Sequence, residues 1–170
     1  MGRLADRRDS GAGARALTTA PPRLRPLARR DLADVIRIDA IHTGAEQRAY
    51  WSRLFREFLA PEPGRVRIAL AAEVDGSCAG FLFADVRAFE FGSEPCGWIL
   101  EVGVDPGLAR GGVGSALLAA AVRRLRAAGV PTVRTMVRRN AMPVLTFFRT
   151  NGFGAGPYVQ LELMDDSATG

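Results

Sequence analysis

The stretch Trp98-Ile99-Leu100-Glu101-Val102-Gly103-Val104-Asp105-Pro106-Gly107-Leu108-Ala109-Arg110-Gly111-Gly112-Val113-Gly114-Ser115-Ala116-Leu117-Leu118 changes its periodicity midway. Residues 98–104 are apolar except for Glu101 and Gly103, which suits a central strand covered on both faces. Beyond the glycines, Leu117, Ala121, Val122 and Leu125 fall at helical spacing. Arg123, Arg124 and Arg126 sit in the last turns of that helix, where its dipole favours cations, and Gly129 and Pro131 stop it. Between strand and helix lie five glycines, Gly103, Gly107, Gly111, Gly112 and Gly114. Glycine admits positive φ and lets backbone amides approach a ligand closely, and a helix start offers unpaired N–H groups to an anion. The expectation is a phosphate or pyrophosphate site; the alternative is a tight connector. A dinucleotide fingerprint fails because Leu117 stands where its third glycine belongs. A P-loop fails because the chain has no lysine.

Upstream, residues 23–27 read as a short strand. Asp31 stands where a helix cap would sit, before Leu32, Val35, Ile36 and Asp39. A second helix over 46–59 carries Tyr50, Leu54, Phe55 and Phe58 on one side. Two β-like runs, 67–74 and 78–86, flank Asp75-Gly76, a strong hairpin signal. Downstream come a strand at 132–137, a helix at 142–151 ending at Gly152, and a final strand at 158–164. Helices inserted between strands give an α/β (α+β) class with a central sheet flanked by helices. Residues 1–22 lack periodicity and end in Pro21-Pro22; they read as a disordered tail before one folded domain over 23–170.

The chain has 170 residues, 48% of them hydrophobic and 24% charged, enough to bury a core. No uncharged stretch exceeds 12 residues, short of the roughly 20 that a membrane-spanning helix needs. All 23 basic residues are arginine, which excludes lysine nucleophiles and Schiff bases. One histidine and two cysteines are too few and too scattered for structural zinc, so no metal is expected. With no signal-peptide core, a reduced, cytoplasmic protein is the expectation.

The central stretch resembles the acetyl-CoA signature of the GNAT superfamily of N-acetyltransferases: a strand, Asp105-Pro106, then a glycine loop at a helix start. Phe147-Phe148-Arg149-Thr150-Asn151-Gly152-Phe153 is similar to that family's late helix. Arg23-Leu24-Arg25-Pro26-Leu27 with Asp31-Leu32 is similar to its opening. The resemblance implies a GNAT-type fold, a mixed and mostly antiparallel twisted sheet flanked by helices. It implies acetyl-CoA as co-substrate, held by Val102, Gly103, Val104, Ala109, Arg110, Gly111, Gly112, Val113, Gly114 and Ser115, with Asn140, Phe147 and Phe148 further along. The implied reaction is acetyl transfer to a primary amine of a small molecule, peptide or protein. This chain departs from the family at four places, one of them Arg110 at the position of a common glycine. Ala109 takes the usual Arg or Gln position, Phe148 the place of a frequent proton-donating tyrosine, and Asn140 lies one residue early.

Amine acetylation needs a neutral amine, in-line placement and a donor facing the carbonyl oxygen. Glu101, an acid in an apolar strand, is the candidate base; the alternative is an ion pair with an arginine. Tyr158 is the candidate acid in place of the missing tyrosine. Asp39, His42, Tyr50 and Trp51 form a candidate acceptor wall, with His42 expected just after the first helix, and Glu90 is a further candidate for a cationic substrate. A Cys96–His42 nucleophile pair is the weaker covalent alternative. A catalytically silent acyl-CoA-binding module is one rival function. Nucleic-acid binding is a less economical one, since the net charge is only +5 and no recognition motif appears. Assembly as a homodimer is left open.

Overall fold

The computed structural model describes residues 22–88, 92–108 and 111–163. The chain divides into two compact units, residues 1–134 and 135–170.

The first unit is a five-stranded sheet in the order β1-β2-β3-β4-β5, made of β1 (Arg23–Pro26), β2 (Arg67–Val74), β3 (Ser77–Arg87), β4 (Cys96–Val104) and β5 (Val133–Arg134). The first four strands are antiparallel neighbours and β5 joins β4 in parallel. The expected mixed, mostly antiparallel sheet is therefore present. The β2–β3 turn falls on Asp75 and Gly76, both at positive φ (50° and 78°), the backbone that a two-residue hairpin requires.

Helices α1 (Leu32–Thr43) and α2 (Arg48–Leu59) cover one face of the sheet, and α3 (Val113–Ala127) covers the other. The alternation of strand side chains fixes this division. Phe81 and Phe83 of β3 pack with Ile38, Trp51, Phe55 and Phe58 of α1 and α2. Gly80, just before Phe81 and on the opposite face, lies so close to Val113 and Leu117 of α3 that a Cβ there would come within 3.1 Å of Val113. Of the expected α3 stripe, Leu117, Ala121 and Leu125 are buried and Val122 is half-buried, and Leu118 is buried with them, so this side of the helix faces the sheet.

Asp31 precedes α1 but makes no side-chain cap. Its carboxylate instead accepts Arg25 Nη1–H and Nη2–H at 2.7 and 2.8 Å and the Ala28 N–H at 2.8 Å. Arg25 also donates to Glu73 at 2.6 Å. This part-buried triad ties the sheet edge to the start of α1.

The second unit holds α4 (Met142–Thr150). The strand expected at 132–137 is only the two residues of β5, and that expected at 158–164 is not formed over the described residues 158–163. Val159, Leu161 and Leu163 alternate as a strand face would, yet are 76%, 90% and 102% exposed. Their alternation meets no neighbouring strand, and a strand gains its stability only through one.

Candidate active site

β4 carries the site. In its ladder with β3, Ile99 stands opposite Ala84 and Glu101 opposite Phe83, so Leu100 is an extra residue, a β-bulge. Before the bulge β4 is paired on both sides: Gly97 faces Val133, Trp98 faces Arg134, and the Gly97 N–H donates to the Thr132 carbonyl at 2.9 Å. Beyond Trp98 no β4–β5 pair continues among the described residues. The Asp105 N–H donates to the Ala79 carbonyl at 2.9 Å. Successive amides of a strand point to opposite sides. The Gly103 N–H therefore points at β3, while those of Val102 and Val104 point to the edge that β5 leaves open.

Glu101 is half-buried on the face covered by α1 and α2. The Tyr50 hydroxyl donates a hydrogen bond to its Oε1. Burial pushes the Glu101 carboxyl above the usual carboxylate range; the Tyr50 hydrogen bond pulls it back and the Asp39 charge pushes it further up. Tyr50 is itself raised, by burial first and then by the hydrogen bond and charge of Glu101, against the opposing charge of Arg53. The next residue of α2, Trp51, donates its indole N–H to Asp39 Oδ2 at 2.8 Å. Asp39, Tyr50 and Glu101 thus come together from α1, α2 and β4. Trp51, expected at an acceptor wall, is only 1% exposed, so its polar contact is with Asp39. No arginine pairs with Glu101 among the described residues.

His42 lies inside the last turn of α1 rather than after it, because the helix runs on to Gly44, which terminates it at φ 82°. Its exposed ring donates Nε2–H to the Val104 carbonyl at 2.8 Å. Cys96 is buried at the opposite end of β4, about 26 Å away at 3.3 Å per residue. The Cys96–His42 pair is thereby excluded.

The loop after β4 is anchored by Asp105, whose carboxylate accepts the Gly107 N–H at 3.0 Å and Arg37 Nη1–H at 2.8 Å. The Arg37–Asp105 pair escaped the sequence reading, although an Asp before a Pro at a strand end is itself a turn signal. Gly112 is the residue before α3, at φ 73°, and no side chain caps this helix. The N–H groups of Val113, Gly114 and Ser115 thus have no intrahelical acceptor. Gly103 has a different reason to be glycine: a Cβ there would come within 2.6 Å of the Phe81 ring.

In the second unit Asn140 is exposed in a turn, Phe147 is half-buried and Phe148 is buried edge-on against Phe147 and Phe153. Tyr158 lies in an irregular stretch and is 46% exposed. Glu90, Ala109 and Arg110 lie outside the described residues. Among the described residues no group of three or more His, Cys, Asp or Glu side chains is placed to hold a metal, and no helix is long and apolar enough to cross a membrane.

The model of the acetyltransferase (GNAT) family matches residues 32–153, which include β4, the glycine loop and α3. The chain belongs to the GNAT family. A mycothiol acetyltransferase of Nocardiopsis dassonvillei is 28% identical over 155 residues, 79% of this chain and 47% of that protein. One of Saccharomonospora viridis is 36% identical over 87 residues, 49% of this chain and 28% of that protein. This GNAT chain thus spans less than half the length of either relative. Among solved structures, an aminoglycoside antibiotic 6'-N-acetyltransferase of Acinetobacter haemolyticus superposes with a TM-score of 0.71 at 18% identity, covering 84% of this chain and 98% of that one. The structure of AAC(6')-Iy with a bisubstrate analogue gives 0.73 at 17% identity, covering 86% and 99%. A transcriptional regulator of Bacillus halodurans C-125 gives 0.71 at 17% identity, covering 85% and 99%. The GNAT fold is therefore shared across proteins of differing description.

Proposed function

We propose that this GNAT chain transfers an acetyl group from acetyl-CoA to a primary amine by direct attack. The observation that carries the reading is the two-sidedness of one half-strand: β4 aims the Glu101 carboxylate at one face and the Val102 and Val104 amides at an open edge. The open edge leads through Asp105 into Gly111, Gly112 and the uncapped start of α3, a stretch suited to a pyrophosphate. Acetyl-CoA supplies the activated thioester. Glu101 takes a proton from the ammonium group, directly or through a water, and the neutral amine attacks the carbonyl. The Val102 or Val104 N–H meets the charge that develops on the carbonyl oxygen. The C–S bond breaks, the nitrogen loses its second proton to water, and the thiolate takes a proton from water. The products are an N-acetyl amine and CoA.

The acceptor class is a small-molecule amine. Two half-buried carboxylates at the site, Asp39 and Glu101, suit a cationic acceptor, and the aminoglycoside N-acetyltransferase neighbours support the same class. The deciding experiment is a thiol-release assay with acetyl-CoA across a panel of amino sugars, polyamines, amino acids and peptides. Acetyl-CoA-dependent thiol release with at least one amine supports the reading. Binding of CoA with no turnover on any amine would favour the silent acyl-CoA-binding module instead.

A further inference from the structure

Two neighbouring residues of α2 hold two carboxylates that belong to other elements. Trp51 is fixed in the core, edge-on to Phe81 at 5.1 Å and tilted against Phe83 at 5.9 Å. From that fixed ring its N–H takes Asp39 Oδ2. Tyr50, edge-on to Trp51 at 5.1 Å, takes Glu101 Oε1. Each bond engages one oxygen, and among the described residues no hydrogen bond engages Glu101 Oε2. The groups facing Glu101 are Asp39 from α1, Tyr50 from α2 with Arg53 over the Tyr50 ring at 5.8 Å, and the apolar Phe83 from β3.

We propose that Tyr50 and Asp39 are positioning residues that hold Glu101 in opposition: the Tyr50 hydroxyl orients the carboxylate and stabilises its charge, while the Asp39 carboxylate destabilises that charge. The proposal rests on Glu101 being the base. The hydroxyl leaves one carboxylate oxygen open to receive a proton, and the two influences act on that carboxylate in opposite directions. A hydrogen bond donated to the charged form lowers a pKa and a like charge raises it, so loss of each partner must move Glu101 in opposite directions.

The test uses the full chain labelled with carboxyl-¹³C glutamate, the Glu101 signal being identified by its loss in Glu101→Gln. The wild-type signal titrates above the usual carboxylate range. Tyr50→Phe, which keeps the ring and its packing, moves the midpoint up. Asp39→Asn, which keeps an acceptor for the Trp51 N–H, moves it down. An unchanged or opposite midpoint in either variant overturns the proposal, so each variant decides independently of the other. The base assignment fails separately: wild-type kcat/KM in Glu101→Gln removes Glu101 from the chemistry whatever the titrations show.

Discussion

The two halves of β4 are almost equally apolar, and they end up in opposite circumstances. Residues 96–99 pair with β3, Gly97 and Trp98 pair with β5 as well, and the Trp98 ring lies 5.2 Å beneath the Arg87 guanidinium. Residues 101–104 keep β3 but have no β5. The difference does not arise from composition, since both halves contain a glycine pressed against a core side chain. Gly97 lies against Leu125 and Gly103 against Phe81, each with 2.6 Å to a would-be Cβ. The change falls at one extra residue, Leu100, the bulge that separates the two halves. Stretches paired on two sides and on one can therefore be written in similar residues of one strand, with a bulge between them.

Removing the charge at the open half should have the largest consequence. Glu101→Gln is expected to lower kcat/KM near neutral pH by about 10² to 10⁴, with acetyl-CoA affinity barely changed. Because the carboxyl is raised by burial, wild-type activity should fall as pH drops through that raised value. The variant should lose that limb and recover partly at high pH, where solution supplies neutral amine. A steady-state pH series on both proteins reads all of this, and a loss that high pH does not relieve would reassign Glu101 to structure.

The closed half should answer in stability instead. Gly97→Val must displace the buried Leu125 and is expected to cost about 2 to 3 kcal/mol, seen as a lower denaturation midpoint. A midpoint like that of the wild type would mean that the closed half is looser than its packing indicates. Where the open edge leads into α3, Gly112 has empty space around its Cβ position but φ 73°, a backbone that a β-branched residue strongly resists. Gly112→Val should weaken acetyl-CoA binding more than tenfold, about 1.4 kcal/mol, measured by calorimetry on folded protein. Unchanged affinity would move the pyrophosphate away from this helix start.

The smallest effect should be on the stability of Glu101→Gln itself. A carboxyl with a raised folded-state pKa contributes stability that is present at low pH and lost as pH rises through the folded value. The variant should therefore gain in relative melting temperature above that pH and match or trail the wild type below it. A constant difference across pH would show that Glu101 is not strained when charged.

The meander was legible because its signals are local. Asp75-Gly76 admits positive φ at both positions, so the hairpin and the limits of β2 at Arg67 and Val74 follow from neighbours in the chain. The glycine loop, Asp105-Pro106 and the apolar stripe of α3 are local in the same sense. The apolar run places the start of the central strand at Trp98, yet Cys96 and Gly97 also belong to β4. There Gly97 makes room for Leu125, a contact that no local pattern announces. The reach of Tyr50 to Glu101, 51 positions along the chain, is set by how α2 lies on the sheet. The stretch at 158–163 shows the converse, an alternating pattern without a strand beside it.

The way β5 is attached also has a consequence for the order in which the molecule assembles. β2, β3 and β4 are joined by short connections, so their contacts close early at little entropic cost, whereas β5 reaches β4 only after the chain has crossed over through α3. The backbone bearing Glu101 should consequently be native-like in the folding transition state, with the two-residue β5 added late. Conservative truncations in the paired centre of β3, such as Leu82→Ala, should slow folding, while Val133→Ala should chiefly speed unfolding. Equal partition of the two in stopped-flow kinetics would contradict this order.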